Sequence, residues 1–317
     1  MQSGPNASEK FLKNRRLSRV YLRNRSRQRL HFGVHLPALR RLGMITWPRV
    51  CIGIAMTTTD RFFSGTSGIV LPVPNKQALP DAYRNKSRLT YYATLFNSLE
   101  VNSSFYKVPQ AATFAKWANE VPEGFRFSVK LWRGITHTPG LHFKIKDAEA
   151  FIKAASSLGV KKGCLLVQLP PGVHADKSPQ LQRLLECLVL ADAERSWKIA
   201  VEFRHPSWYR VSTIPLLMQY RAALVQQDMP DSILREPMGE SSFLYMRYHG
   251  VAGDYKGSYP DEQLDSDAER IGNWLNEGKE VFVYFNNTIG GALANVSRLT
   301  GEVHRLTDGV HRRINHK

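Results

Sequence analysis

Short apolar segments that turn polar at their C-terminal ends recur along this chain. The clearest is Ala200-Val201-Glu202-Phe203-Arg204-His205-Pro206-Ser207-Trp208. On a strand, residues two apart share a face. Glu202 and Arg204 therefore face one way, and Val201 and Phe203 the other. Two charges on one face of a buried strand need a site or a paired cluster to receive them. The same design appears in Leu99-Glu100-Val101-Asn102, Phe127-Ser128-Val129-Lys130 and Leu165-Leu166-Val167-Gln168. It returns in Tyr245-Met246-Arg247-Tyr248-His249 and in Val283-Tyr284-Phe285-Asn286-Asn287.

This pattern predicts strands at 62–66, 98–102, 126–131, 164–169, 198–203, 222–227, 243–249 and 280–286. Amphipathic stretches lie between them, at 81–96, 111–119, 147–158, 178–190, 212–220, 265–277 and 291–304. In the third of these, Ala148, Phe151, Ile152, Ala155 and Leu158 form an apolar stripe at helical spacing, and Gly159 is a C-cap candidate. Ser178-Pro179 reads as an N-cap and N1 pair, and 228–242 reads as loop. Eight strands alternating with helices over about 250 residues predict an α/β fold, a single (β/α)8 TIM barrel. A doubly wound open sheet would use polar residues only at strands beside its switch point, and neither a Gly-x-Gly-x-x-Gly turn nor a P-loop is present. The expected division is a basic extension over 1–58, a barrel over 59–306 and a tail over 307–317.

Charge changes the picture only at the N-terminus. Residues 1–50 hold 12 Lys/Arg and one acid, Glu9, so +11 of the net +17 sits there. The remainder holds 32 bases and 26 acids, which makes overall basicity a weak argument for nucleic acid. The N-terminal segment fits three readings: a disordered nucleic-acid-binding arm, an organelle transit peptide, or sequence outside the folded unit. The third is preferred, because nothing there has a period that needs a partner. Cys51, Cys164 and Cys187 are too few and too scattered for a disulfide framework or a zinc knuckle. The absence of a membrane-length apolar run and of a signal-peptide pattern points to a cytoplasmic protein with no membrane partner.

Strand period assigns Glu100, Asn102, Lys130, Gln168, Glu202, Arg204, Arg247, His249, Tyr284 and Asn286 to the lumen, with Asp228 beyond the sixth strand beside Gln226. His137 and His205 fall on loops just past strand ends, and Asn287 closes the last strand. The expected catalytic set is Glu100, Glu202, Lys130 and His249. The expected substrate contacts are Asn102, His137, Gln168, Arg204, His205, Asp228, Arg247, Asn286 and Asn287. Glu/Lys or Glu/His pairs suit acid–base chemistry, and two glutamates suit a glycosidic bond. Three cations suit an anionic group. A plug of salt bridges is the bland alternative. No cofactor is assigned. A divalent metal on Glu100, Glu202, Asp228 and His249 is disfavoured, because lysine and arginine in the same rim would repel it. Gly65-Thr66-Ser67-Gly68 reads as backbone N–H groups aimed at an anion. Gly253–Tyr259 reads as a loop over the site.

These segments resemble the YecE-like family, also described as domain of unknown function 72. The resemblance is carried by Gly65-Thr66-Ser67-Gly68, Glu100-Val101-Asn102-Ser103-Ser104-Phe105-Tyr106, and Phe127-Ser128-Val129-Lys130 leading to Ile135-Thr136-His137. It continues through Gln168-Leu169-Pro170-Pro171, Val201–Trp208, Arg247-Tyr248-His249-Gly250 and Tyr284-Phe285-Asn286-Asn287. It spans about Phe63 to Leu299 and implies a TIM barrel; it implies no particular reaction. The family's first motif continues into an aromatic-rich loop, where this chain has Ile69-Val70-Leu71-Pro72-Val73-Pro74.

The expected function is a soluble hydrolase- or isomerase-like enzyme acting on an anionic or sugar-like small molecule at the C-terminal rim. The alternatives are a nucleic-acid-processing or nucleic-acid-binding barrel, with or without metal assistance, and a catalytically silent binding barrel. Oligomeric state is not legible. Glu202→Gln is expected to cost turnover more than stability.

Overall fold

The computed structural model describes residues 58–314. The expected basic extension lies outside them, apart from its last residue, and so does Cys51. Each strand forms where an apolar, β-branched or aromatic run meets turn residues. In order these are β1 (Phe62–Thr66), β2 (Ser98–Val101), β3 (Arg126–Lys130), β4 (Lys162–Gln168), β5 (Lys198–Glu202), β6 (Ala223–Leu224), β7 (Gln226–Gln227) and β8 (Phe243–Tyr248). They are followed by β9 (Lys256–Gly257), β10 (Glu280–Phe285) and β11 (Ile289–Gly290). The helices are α1 (Arg88–Tyr92), α2 (Ala111–Asn119), α3 (Arg133–Thr136), α4 (Ile145–Ala155), α5 (Ser178–Ala191), α6 (Thr213–Gln219), α7 (Asp261–Asn276) and α8 (Ala292–Ile314).

All strand pairs are parallel. One half-sheet runs β2-β3-β4-β5-β6 and the other β1-β10-β8-β7. Since β6 and β7 are one strand interrupted at Val225, eight strand positions close into a barrel. Val225 donates its N–H to Val201 O at 2.9 Å, continuing the ladder to β5, and the chain then passes into β7, which pairs with β8. At the seam between β1 and β2, Ser67 and Glu100 form a parallel bridge, and Gly68 N donates to Glu100 O at 2.9 Å. Gly65 permits this approach: a Cβ there would lie 2.0 Å from Ser98 O.

Alternation along the strands separates two cores. Phe63, Cys164, Leu166, Ala200, Ala223, Val225, Phe243 and Phe282 fill the lower lumen. Above them the Tyr284 hydroxyl bonds Ser98 Oγ at 2.5 Å and Ser128 Oγ at 2.8 Å. The opposite strand faces join the helices in a larger apolar layer that includes Val129, Val167, Val201, Phe151, Leu184 and Leu299.

Four expectations need correction. The helix expected over 81–96 is only α1, preceded by a single 3₁₀ turn at Asp81–Tyr83, because Ser87 caps the later start by accepting from Thr90 N. Ser178 does not cap α5; its hydroxyl donates back to Ala175 O at 2.6 Å, and Lys177 occupies the cap. The last helix does not end at 304 but runs to Ile314. Leu306 extends the apolar stripe past that point, and the Thr307 hydroxyl bonds Val303 O. The helix expected over 147–158 is α4, which stops at Ala155, with a 3₁₀ stretch at Ser156–Lys161 leading through Gly159 at φ +58°.

Candidate functional site

The C-terminal ends of the strands surround a cavity of about 570 Å³. Its wall includes Lys130 from β3, Gln168 from β4, Arg204 past β5 and Arg247 from β8. Asn102 and Asn286 contribute from the loops after β2 and β10, and Tyr106, Asp231 and Tyr255 stand at other loop positions. This wall therefore carries three cations and one acid. Glu100, Glu202 and His249 lie beneath it, each 0 % exposed.

Beneath the cavity the acids are fully engaged. Arg247 Nε and Nη2 donate to the two oxygens of Glu100 at 3.0 and 2.8 Å. Tyr245 donates to Glu100 Oε2 at 2.6 Å, and the Ser67 hydroxyl donates to Oε1. Arg247 Nη1 donates to Glu202 Oε2 at 2.6 Å, and Arg204 Nε donates to Glu202 Oε1. Burial opposes both negative charges, but the adjacent guanidiniums outweigh it. Arg247 holds the Glu100 carboxyl below the usual range, and Arg204 with Arg247 does the same for Glu202. Neither glutamate is poised to give up or take a proton near neutrality.

His249 links this lattice to the loops. Arg204 Nη2 donates to His249 Nε2 at 2.9 Å, so that nitrogen carries the lone pair. The proton then sits on Nδ1, 3.1 Å from Asp228 Oδ1. Burial keeps the ring's pKa below its usual value, partly offset by the Asp228 bond. Asp228 also accepts from His249 N at 2.8 Å and from the Tyr259 hydroxyl, which itself receives Gly250 N at 2.6 Å. Asp228 thus fixes the tautomer of His249, and His249 fixes Arg204.

Lys130 is the exception. It is 8 % exposed, and its Nζ lies 4.2 Å from the centre of the Phe105 ring. Among the described residues no carboxylate is bonded to it. Burial and the Arg247 charge push its amine down to about 8, against the pull of Glu202 and Glu100.

Of the expected residues, Asn102, Lys130, Gln168, Arg204, Arg247 and Asn286 converge on the cavity. The others do not line it. His137 stands behind Phe105, with its ring 4.8 Å away and Nδ1 on Thr136 Oγ1; burial and Lys130 push it down to about 4. His205 stacks on His174 at 3.7 Å and caps the turn after β5 through Ser207 N. Asn287 ties loop to helix, donating to Gly257 O and Asn295 Oδ1. The Gly65–Gly68 amides are not an anion cradle: Thr66 N meets the Tyr92 hydroxyl, Ser67 N meets Phe285 O, and Gly68 N meets Glu100 O. At the sixth strand Gln227, rather than Gln226, continues the lumen period of Ala223 and Val225. Its amide braces Phe203 O and Ser232 O. Arg204 and Arg247 stand among the acids, and no group of three or more His, Cys, Asp or Glu that could hold a metal occurs among the described residues.

The loop 253–259 does border the site. Its β9 pairs with β11, which brings Tyr255 and Ile289 to the cavity wall. Sequence reasoning did not single out Met229-Pro230-Asp231-Ser232 as part of the wall. Its Pro-Asp-Ser turn signal was present, but nothing local says which way such a turn folds.

A parallel eight-stranded barrel with a charged pocket at the strand C-termini belongs to the class whose active sites lie at that rim. Residues 64–315 match the family described as "Protein of unknown function DUF72", and the chain belongs to that family. The UPF0759 protein YunF of Bacillus subtilis (strain 168) is 27 % identical over 251 residues, which cover 68 % of this chain and 86 % of YunF. The UPF0759 protein YecE of Escherichia coli (strain K12) is 27 % identical over 121 residues, 38 % of this chain and 43 % of YecE. The crystal structure of a DUF72 family protein from Enterococcus faecalis V583 superposes with a TM-score of 0.62 at 19 % identity, covering 78 % of this chain and 95 % of that one. That likeness extends to the fold. Among the described residues no helix is long and apolar enough to cross a membrane.

Proposed function

We propose that the rim cavity is the active site of an enzyme acting on a small anionic, sugar-like substrate. Arg204 binds the anionic group, and Lys130 transfers a proton. Asn102, Gln168 and Asn286 offer amide groups suited to hydroxyls. The observation that carries this reading is the division of labour beneath the cavity. Both glutamates are spent on arginines, whereas Lys130 alone among the cations faces the cavity without a carboxylate and with an amine near neutrality. Relative to the sequence expectation, Glu100, Glu202 and His249 move from chemistry to support.

A panel of sugar phosphates and phosphorylated acids, screened by thermal shift and then for turnover, tests the proposal. Arg204→Met should weaken binding of a hit about tenfold or more. Lys130→Met should keep binding within a few-fold and lower turnover at least about 100-fold. Binding without turnover in the unaltered protein would support a binding barrel instead, and binding of nucleic acid alone would overturn the proposal.

A further inference from the structure

We propose that Lys130 is also a nucleophile, whose amine condenses with the carbonyl carbon of a small phosphorylated aldehyde or ketone to form an imine. This rests on the reading of the cavity as an anion-binding active site. Three geometric facts support it. Lys130 lines a cavity of about 570 Å³, large enough for a sugar phosphate. The Phe105 ring beneath it holds the amine at the wall without hydrogen-bonding its lone pair. Other partly buried lysines have hydrogen-bond partners, Lys198 on Glu280 at 2.8 Å and Lys161 on Val121 O at 2.6 Å, but the acids nearest Lys130 are already bound to Arg204 and Arg247.

An amine that is neutral in a useful fraction of molecules and free of an acid partner is what carbonyl addition requires. The nitrogen lone pair attacks the carbonyl carbon, the C=O π pair moves to oxygen, and a proton passes from nitrogen to that oxygen. The carbinolamine then loses its hydroxyl and the remaining N–H proton as water, leaving C=N. No oxidant, reductant or metal is consumed. Asn102 has a buried side-chain oxygen with no hydrogen-bond partner, a suitable acceptor for a carbinolamine or substrate hydroxyl. Arg204, with Nη1 bonded to no acceptor among the described residues, would hold the phosphate.

The test uses the full chain and two probes that differ only at the reacting carbon: dihydroxyacetone phosphate, a ketone, and glycerol 3-phosphate, its alcohol. Borohydride trapping with the ketone, followed by peptide mapping, should give one reduced adduct on Lys130. That adduct should form about tenfold or more faster than adducts on exposed lysines such as Lys107 and Lys146. Glycerol 3-phosphate should protect Lys130, Arg204→Met should slow trapping about tenfold, and Lys130→Arg, with its fold checked by melting, should abolish it. If glycerol 3-phosphate binds but the ketone leaves Lys130 unmodified, the nucleophile is refuted and the anion site stands. Labelling spread evenly over exposed lysines refutes it as well. If neither probe binds or reacts, both readings fail.

Discussion

Lys130 carries a stability cost that its neighbours do not share. Its amine is lowered from 10.5 to about 8, so folding disfavours the charged form. That depression corresponds to about 3 kcal/mol of destabilisation, fully present below the folded value and relieved as pH rises from about 8 toward 10.5. Lys130→Met is therefore expected to raise the melting temperature at pH 7 by several degrees, a gain that shrinks by pH 10. Catalysis that uses the neutral amine should rise with pH through about 8. Melting curves at both pH values and a pH–rate profile check the pair of expectations; an unchanged melting temperature at pH 7 would mean the amine is not desolvated. Glu202 behaves in the opposite sense. It is 0 % exposed and bonded to two arginines, so Glu202→Gln should cost about 3–5 kcal/mol of stability. It should also loosen Arg204. The sequence-based expectation that activity would suffer more than folding is replaced by loss of both, readable from denaturant unfolding of the variant.

At the scale of the element, Gly65 is the most sensitive point in the strands. A Cβ there meets Ser98 O at 2.0 Å and the Tyr92 hydroxyl at 2.6 Å, and neither backbone nor buried ring can withdraw cheaply. Gly65→Ala should destabilise by more than about 3 kcal/mol, or prevent soluble expression. A melting temperature within two or three degrees of the parent would show that the two strands can part without penalty. The strands themselves were legible because period two is local: Glu100, Lys130, Glu202 and Arg247 were assigned to the lumen from alternation alone, and all four are there. What alternation does not encode is pairing across the barrel. That Arg247 takes both glutamates, leaving Lys130 without one, depends on strand stagger and closure. The short α1 and the part of the wall at Met229–Ser232 were obscured for a different reason. A cap at Ser87 and a Pro-Asp-Ser turn are local signals whose consequence is decided by what the turn packs against.

The whole molecule should register the buried lattice as an acid transition. Glu100 and Glu202 are held below their ordinary value of 4.5, so the unfolded chain takes up protons first. Their contribution is present above that value and is lost as pH falls below it. Stability measured in urea should fall steeply below about pH 4.5, and Glu202→Gln should flatten that dependence. A slope unaltered by the substitution would place the acid-sensitive groups elsewhere.

The barrel is two half-sheets, and its charges lie across the division. Glu100, Glu202 and Arg204 come from the half containing β2 to β6, whereas Ser67, Tyr245, Arg247 and His249 come from the half containing β1, β7, β8 and β10. The seam between β1 and β2 is joined by the isolated bridge of Ser67 and Glu100, and the other side by the continuous strand of β6 and β7, so the ionic lattice also clasps the two halves. A ligand seated on Arg204 and Lys130 would lean on that clasp. Occupancy of the pocket would then be felt as slower amide exchange at Gly68, whose N–H reaches Glu100 O across the seam between β1 and β2.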